Sequence, residues 1–595
     1  MINKGISNMI VLLLAASMLP AQTSMPQSQT DIFKNMPGEK VYVHYNSGLL
    51  FAGETLYYKL YCRNTSNNRH SSLSKIGYIA LVDRDHEPVF MQKLRLQDGS
   101  GQGDFFVPAD IPSGSYKLVA YTQWMKNRNG APVFLSDIMI INPYQNTPEE
   151  HLEKTVPDSL AFDSIPLKPT GIPASAKSST RNGTPSFTAV LNKEVYRKRE
   201  KVELELNTES IDARGGHYSL SVRRIPDIGH PPQLDPFTFE VIAGTTVPAE
   251  VRQGEVFLPE LRGELISGKV VGAGDSQPAG NIPLALSLSG DEFIFDMART
   301  NGEGRFYFNI DLEYQNTDGI FQVLNAEERE YDILPDQHIL PLPESLEFYD
   351  FKLDSQLEQD IRSRSIWNQI ENAYQEVKAD TLIRREQKLP FYRNFQLKYA
   401  LDDFTRFNTI EETLVEIVDH IWLVRNAQGD PRFQVRPFDG YLDGIGLPPM
   451  VFIDGLYIQN HSDIVSYPAR QIKNIFISRD RYQIGANIFQ GILAFETFSS
   501  DFSETFSRDF LKLQPLFKPE PMKAYFFQEY NGSKDKEQIP DYRQQLYWNP
   551  HLEIIGANSR IHWYTSDLPG AFEIRMEGYT VAGKPVALYK IFNVE

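Results

Sequence analysis

The chain has 595 residues, with 77 acidic against 59 basic side chains, a formal charge of −18 and 12% aromatic content. That balance argues against nucleic acid or anionic lipid as partners, and a lone cysteine, Cys62, excludes an internal disulfide. At ~150 residues per domain the length implies about four domains, or more if small all-β modules are used.

Residues 1–21 carry one lysine, Lys4, then an uncharged apolar run over 9–19, then Pro20-Ala21 before a polar stretch. An apolar core this short does not span a bilayer; it reads as a secretory signal peptide cleaved after Ala21. The product is expected to be exported, to the periplasm, the outer membrane or the cell surface, with no transmembrane segment once the signal is removed. Residues 22–39 read as a flexible leader.

From residue 40 to 145 six or seven short alternating runs, bounded by Gly, Pro and Asn, predict a β-sandwich. Residues 146–185 are rich in Ser, Thr, Pro and Lys and read as an exposed linker. Residues 186–262 repeat the first logic, with Tyr196, a charged turn and strict alternation of Val202, Leu204 and Leu206, so a second sandwich is expected. Residues 263–345 read as a small β domain containing the hairpin signal Thr300-Asn301-Gly302, Gly304, Phe306. Over 346–405 the period changes: Leu357, Ile361, Trp367, Ile370, Tyr374 and Val377 fall on one face of an amphipathic helix that must pack on a neighbour.

The most specific stretch lies in an α+β unit expected over 406–500. A strand over 450–453 is stopped by Asp454-Gly455, a short helix is opened by Ser462 and ends near Pro468, a strand follows over 472–477, and a glycine loop over 485–491 leads to a strand over 492–497. Thr409 and Glu412 form a capping box for a leading helix that runs to about Leu423. Residues 501–595 alternate again and predict a C-terminal sandwich-like domain. The fold class is therefore mainly β and multidomain, with Ig-like sandwiches, one small α+β domain and a helical segment.

Several of these stretches resemble known families. Phe452-Ile453-Asp454-Gly455, then Ile472, Ile475, Ile477 and Arg479, then Tyr482, Gly485, Phe489, Gly491, Ile492 and Thr497 resemble the plug domain of outer-membrane TonB-dependent receptors. A receptor continues its plug into a barrel of on the order of twenty strands. Here 98 residues follow Thr497, so a plug-like domain without a barrel is expected. Residues 40–145, through Val41-Tyr42-Val43, Gly53-Glu54-Thr55, the stretch 108–116, Ala120-Tyr121-Thr122 and Trp124-Met125, look like the macroglobulin-type sandwich of the α-2-macroglobulin superfamily; 186–262 and, less specifically, the tail look similar. Residues 263–345 resemble the regulatory domain of carboxypeptidases, which in receptors of the Bacteroidetes precedes the plug, in the order met here. The resemblances imply folds more than activities.

Chemistry is sparse by comparison. There is no Gly-x-Ser-x-Gly elbow, no His-Glu-x-x-His, no Gly-rich loop ending in Gly-Lys-Ser/Thr and no Cys/His cluster of zinc spacing. Cys62 sits in a predicted strand and has no Gly-Glu-Gln run beside it, as a thioester would require. Asp98 to Asp104 places oxygen side chains at alternate positions but reads as a hairpin; Asp83, Asp85, His86 and Glu87 read as a solvated turn; Gly274-Asp275-Ser276 reads as a turn; Tyr42, Phe51, Tyr57 and Tyr61 read as sandwich core. No catalytic, cofactor-binding or metal-binding residue is expected.

Candidate interaction or turn residues are Asp454, Gly455, Arg479, Tyr482, Gly485, Phe489 and Gly491. They either close turns or present a docking surface, with the sheet edge at 492–497 open to another chain. The expected function is non-enzymatic: protein–protein interaction or scaffolding beside a separate outer-membrane β-barrel transport or secretion protein, or another envelope protein. One alternative is a thioester-free protease trap or adhesin with the linker as bait. The other is an envelope glycan or peptide hydrolase, which would show as a cleft at a domain junction with two convergent carboxylates of perturbed pKa.

Overall fold

The computed structural model describes residues 36–128, 133–146, 187–245, 256–290, 292–315, 318–325, 330–350, 352–438, 446–485, 487–530 and 538–595. The expected signal peptide, most of the leader and nearly all of the linker lie outside them. Among the described residues no helix is long and apolar enough to cross a membrane. The structure is a mainly β, multidomain assembly with several separate apolar cores.

Residues 39–141 form the first sandwich. One sheet pairs Glu39–Tyr45 with Thr55–Asn64 and Ser100–Phe106; the other contains Leu49–Phe51, Phe134–Ile141, Gly114–Tyr121, Ile76–Val82 and Pro88–Arg95. Val41, Val43, Leu60, Ile79, Leu81 and Leu118 fill the space between the sheets. Both Glu39–Tyr45 and Ile76–Val82 are buried at every residue. For Glu39–Tyr45 the cover on its second face is another domain, as described below.

The second sandwich departs from expectation. Residues 188–224 supply only part of it, and the last four strands of the chain supply the rest. Lys201–Asn207 pairs antiparallel with Asn558–Tyr564, placing Val202 opposite Trp563 and Leu204 opposite Ile561. His217–Arg224 lies between Gln545–Leu552 and Gly570–Tyr579, and Val195–Tyr196 runs parallel to Pro585–Val594 at the far edge. The stretches expected as separate domains at 186–262 and 501–595 thus share two sheets and one core containing Val202, Leu204, Leu220, Trp563, Ile574 and Phe592. The physical reason is that a few strands with one apolar face need a partner sheet, and local alternation does not say how far along the chain it lies. The described residues of 225–262 hold no strand of this sandwich; they contain helix α1, Pro236–Thr245.

The third domain packs a sheet of Arg305–Ile310, Glu264–Gly272 and Tyr331–Pro335 on one of Ile294–Arg299, Pro283–Leu288, Asp318–Val323 and Leu511–Pro515. Its seventh strand therefore comes from beyond the α+β unit, outside the expected 263–345. Helix α2, Glu358–Ala373, is shorter than the expected helical segment and turns a different face inward. Arg364, Ser365 and Asn368 are buried, whereas Ile366, Tyr374 and Val377 are exposed. The apolar spacing located the helix, but a buried charge on the neighbouring sandwich selects the polar stripe.

The α+β unit is built on a five-stranded sheet ordered Leu397–Ala400, Ile472–Ile484, Asn487–Thr497, Met450–Ile453, Leu456–Tyr457. Its leading helix α3 spans Ile410–Glu416, not to residue 423, because a new strand, Ile421–Arg425, follows. The capping bond is present: Glu412 N donates to Thr409 Oγ1 at 3.2 Å. The helix expected from Ser462 is a single 3-10 turn, His461–Asp463, capped by Asn460. The expected glycine loop is instead the continuation of two long strands joined by a tight turn at Gly485. The strand 492–497 is interior, flanked on both sides, so the open edge expected there does not exist.

The tail links these bodies in turn. After Leu511–Pro515 completes the third domain, Pro519–Glu520 pairs parallel with Lys93-Leu94 of the first sandwich. Lys523–Ala524 pairs with Thr381–Leu382, and the last four strands close the second sandwich.

Candidate functional site

A dense cluster of ionisable side chains forms a layer between the two sandwiches. In the first, register places Lys40 beside Arg63, Tyr42 beside Tyr61, and His44 beside Lys59, all on the outer face of their sheet. In the second, it places His217 beside Tyr579, Ser219 beside Glu577, Ser221 beside Arg575, and Arg223 beside Glu573. Strand alternation puts each set on one face, and the two faces meet. Tyr42 and Tyr61, together with Tyr57, are therefore not in the sandwich interior, as expected, but in the layer between sandwiches. Phe51 packs in a third cluster with Met139, Ile228 and Leu353.

At the centre of the layer Tyr42 Oη donates to Glu577 Oε2 at 2.5 Å, while His44 Nδ1 and Ser219 Oγ share a bond of 2.5 Å. His44 Nε2 lies 3.9 Å from Glu577 Oε2. Burial is the main influence on His44, holding it neutral down to about 4. Burial also pushes Glu577 up, but Arg575, 2.6 Å away, outweighs it and keeps the carboxylate charged.

Serine, histidine and carboxylate in this order resemble a nucleophilic set in composition. Three facts set it apart. Ser219 also bonds Tyr61 Oη at 2.8 Å, His44 and Glu577 are each about 1% exposed, and neither cavity described below is lined by any of the three.

To one side Glu54 of the first sandwich is held by two guanidiniums from different bodies. Arg364 of α2 donates through Nε and Nη2 at 2.7 and 2.8 Å, and Arg223 of the second sandwich at 2.6 Å. Asn368 Nδ2 adds a fourth bond at 3.2 Å. Burial raises the Glu54 carboxyl, but the arginines prevail and hold it at about 2. To the other side Glu240 of α1 pairs with Lys40 at 2.6 Å and with Arg63, whose guanidinium lies 3.8 Å from the Tyr579 ring centre. At the rim Lys59 has no carboxylate among its partners; its Nζ lies 3.1 Å from His551 Nδ1, and burial brings it down to about 7.

Two cavities flank this frame. The larger, about 640 Å³, lies at the open edge of the second sandwich and is lined by Tyr525, Phe527, Trp548, His551 and His562. The other, about 550 Å³, lies where the first sandwich meets the third domain. It is lined by two buried carboxyls. Glu264 accepts from Lys93 Nζ and from Tyr314 Oη, both at 2.6 Å. Glu260 Oε1 accepts from Tyr78 Oη at 3.0 Å, its Oε2 has no partner, and burial pushes it up to about 8.

The residues singled out in the α+β unit are placed as follows. Asp454 is in the left-handed region, φ +46, and its carboxylate accepts from Thr497 N (2.8 Å), Thr497 Oγ1 (2.6 Å) and Phe502 N (3.2 Å). Gly455, φ +83, lies so close to Phe293 that an added Cβ would sit 2.2 Å from it. Gly491, also φ +83, packs on Val435 beside the bulge at Arg479 and Asp480. Arg479 donates to the carbonyls of Arg436 and Pro437 at 2.9 and 2.7 Å. Tyr482 Oη bonds Ser478 Oγ at 2.5 Å, and its ring packs on Phe391. Phe489 is buried against the third domain with Phe293, Phe295, Phe452 and Tyr457, and Gly485 is the open hairpin turn.

These residues do not converge on one site. Asp454, Gly455 and Phe489 seat the unit on the third domain, while Arg479 and Gly491 fix its ribbon. The Asp98-Gly99 stretch is a two-residue hairpin with both residues at positive φ, and Asp83 accepts from the amides of Asp85 and Glu87 within its own turn. Among the described residues no group of His, Cys, Asp and Glu could hold a metal ion. The interdomain layer escaped sequence reasoning because polar residues at alternate strand positions read as a solvent face. The signal present was aromatic: Tyr42, Tyr57 and Tyr61 share that face with the charges.

No protein-family model matches the chain, and a search of curated proteins finds no significant match. Solved structures of similar arrangement include α-2-macroglobulin from Salmonella reacted with methylamine, at 8% identity and TM-score 0.22, covering 94% of this chain and 40% of that one. Trypsin-activated α-2-macroglobulin from Escherichia coli aligns at 8% identity and TM-score 0.22, covering 93% and 41%. The Yersinia pseudotuberculosis adhesin InvE aligns at 9% identity and TM-score 0.13, covering 50% and 57%. The chain thus spans about two fifths of the length of these macroglobulins. Likenesses at such scores carry no weight for function.

Proposed function

We propose that this chain is an exported, non-enzymatic scaffold of a bacterial envelope that works beside a separate outer-membrane barrel protein. The observation that supports the reading is where its ionisable groups are placed. Glu54 with Arg223 and Arg364, Glu577 with Tyr42 and Arg575, and Glu240 with Arg63 each join different bodies of the chain. Buried ionic contacts of this kind specify geometry more than they stabilise, which suits a protein that holds partners at fixed separation. The plug-like and carboxypeptidase-like resemblances point to a receptor-bearing outer membrane as the setting. Affinity purification from detergent-solubilised envelope, after chemical cross-linking, tests the proposal. A barrel protein retained above background is the expected result; recovery as a free monomer contradicts it.

The glycan hydrolase reading has one observation in its favour, the carboxyl pair Glu260 and Glu264 in the second cavity, with Glu260 able to act as an acid near neutral pH. Glu264 is held by Lys93 and Tyr314, and both carboxyls are about 1% exposed, so the scaffold reading is preferred. Release of soluble sugar from purified cell-wall glycan, lost in Glu260→Gln, would reverse that order.

A further inference from the structure

The rim of the layer between the sandwiches collects imidazoles and cations with little to neutralise them. The rings of His70, from the loop after Thr55–Asn64, and His217, from the facing strand of the second sandwich, lie 4.0 Å apart centre to centre, tilted by 40°. No side chain hydrogen-bonds either ring nitrogen of His70, and the Gly99 backbone is the one influence on the ring that favours its protonated form. The charged groups facing the pair are Lys59 and Arg63 from the first sandwich and Asp98 from its Asp98-Gly99 hairpin. His551 of the second sandwich approaches Lys59 from the other side and faces His217. Arg63 already shares Glu240 with Lys40. Three imidazoles, Lys59 and Arg63 therefore face two carboxylates, Asp98 and the Glu240 that Arg63 shares with Lys40.

We propose that this rim is an acid-sensitive latch: protonation of His70, His217 and His551 places three new positive charges against Lys59 and Arg63 and parts the two sandwiches before either unfolds. The joined state keeps the three rings neutral. Burial, the neighbouring cations and, for His70 and His551, the adjacent His217 hold His70 and His551 down to about 3, and burial with Lys59 lowers His217. In the parted state His70 and His217 face water, as His551 already does in part, and the rings take protons near the ordinary histidine value of about 6.5. Protonation of His70 then shifts the balance toward the parted state about tenfold between pH 6.5 and 5, and His551 and His217 shift it further in the same direction.

The covalent chain and the Glu54 contacts persist, so parting is a hinge opening and not dissociation. Like charges a few ångströms apart at a partly wet rim are poorly screened, which localises the effect to this edge of the layer.

Small-angle scattering and far-UV circular dichroism of the full chain, titrated together from pH 7.5 to 4.5, test the latch. The expected result is a rise in radius of gyration between pH 6.5 and 5 while the β signal is kept, with a steepness of more than one proton. In the double variant His70→Gln, His217→Gln the steepness falls to about one proton and the midpoint moves to lower pH. Should the double variant fail to fold, the single His217→Gln at the half-buried rim carries the test, with steepness reduced by one. A constant radius down to pH 4.5, a radius and β signal that change together, or an unaltered transition in the variants would each overturn the proposal.

Discussion

Two of the joints that hold this molecule together are made of opposite materials. The first and second sandwiches meet through Glu54, Arg223, Glu577 and His44, all buried, and through Arg575, whose side chain is 11% exposed, with the buried Arg364 of α2 joining them. The α+β unit meets the third domain through Phe293, Phe295, Phe452, Tyr457, Phe489 and Met450, with ring centres such as Phe293–Phe452 5.1 Å apart. An apolar joint gains from area removed from water and has little orientation of its own. A buried ionic joint gains little net stability but forbids the wrong geometry, because any slip leaves a charge unpaired. The molecule therefore fixes the angle between its sandwiches with charge and fixes its α+β unit in place with rings.

The difference makes the joints breakable by different means. The largest effect is expected from Glu54→Ala, which strands two guanidiniums and destabilises by about 3–5 kcal/mol in denaturant unfolding. Replacing all three members, Glu54→Leu with Arg223→Met and Arg364→Met, should return most of that loss while loosening the angle between sandwiches in scattering. At the other joint Phe293→Ala should cost about 3 kcal/mol, with a loss that does not respond to salt.

Next comes Glu260→Gln. A carboxyl whose folded value is raised to about 8 contributes fully below its unfolded value, and that contribution is lost as pH rises toward 8. The glutamine variant should match the parent near pH 4 and exceed it by on the order of 2 kcal/mol at pH 8, read as a shift in midpoint. Glu54 has the opposite sign: held at about 2, its support is complete above the ordinary carboxylate range and fades as pH falls through it. The smallest effect is a control. Lys201 and Glu203 pair at 2.9 Å on an exposed strand face, and Lys201→Ala should leave the unfolding curve unchanged.

Much of the local structure was legible. Thr409 and Glu412 gave the helix start, Asp454-Gly455 the turn, and the alternation of Val202, Leu204 and Leu206 the strand, because each is decided by residues within a few positions of one another. What was not legible is pairing at long range. Nothing near Leu204 says that its neighbour is Ile561, nothing near Phe321 says that Lys512 will lie beside it, and so one sandwich was expected as two domains. The site failed for a related reason. His44, Lys59 and Glu577 look solvent-facing strand by strand, and become a buried layer only when two faces from distant segments are brought together. The glycines were read correctly as special and incorrectly as a loop: Gly491 is required by Val435 at its back within a continuous strand.

The account rests on the second sandwich being closed by strands from 188–224 and the last four strands of the chain, and a cross-strand disulfide tests it directly. Glu205 and Arg560 are register partners on adjacent antiparallel strands, where Cα atoms lie ~4.5–5.5 Å apart, within disulfide reach. Cys62 is the sole native cysteine and is fully buried, so the background is low. In Glu205→Cys with Arg560→Cys, mild oxidation should form an intramolecular bond nearly quantitatively, seen as altered migration on a non-reducing gel that reductant reverses. Free thiols in both positions after oxidation of the folded protein would contradict the shared sandwich and, with it, the joints built upon it.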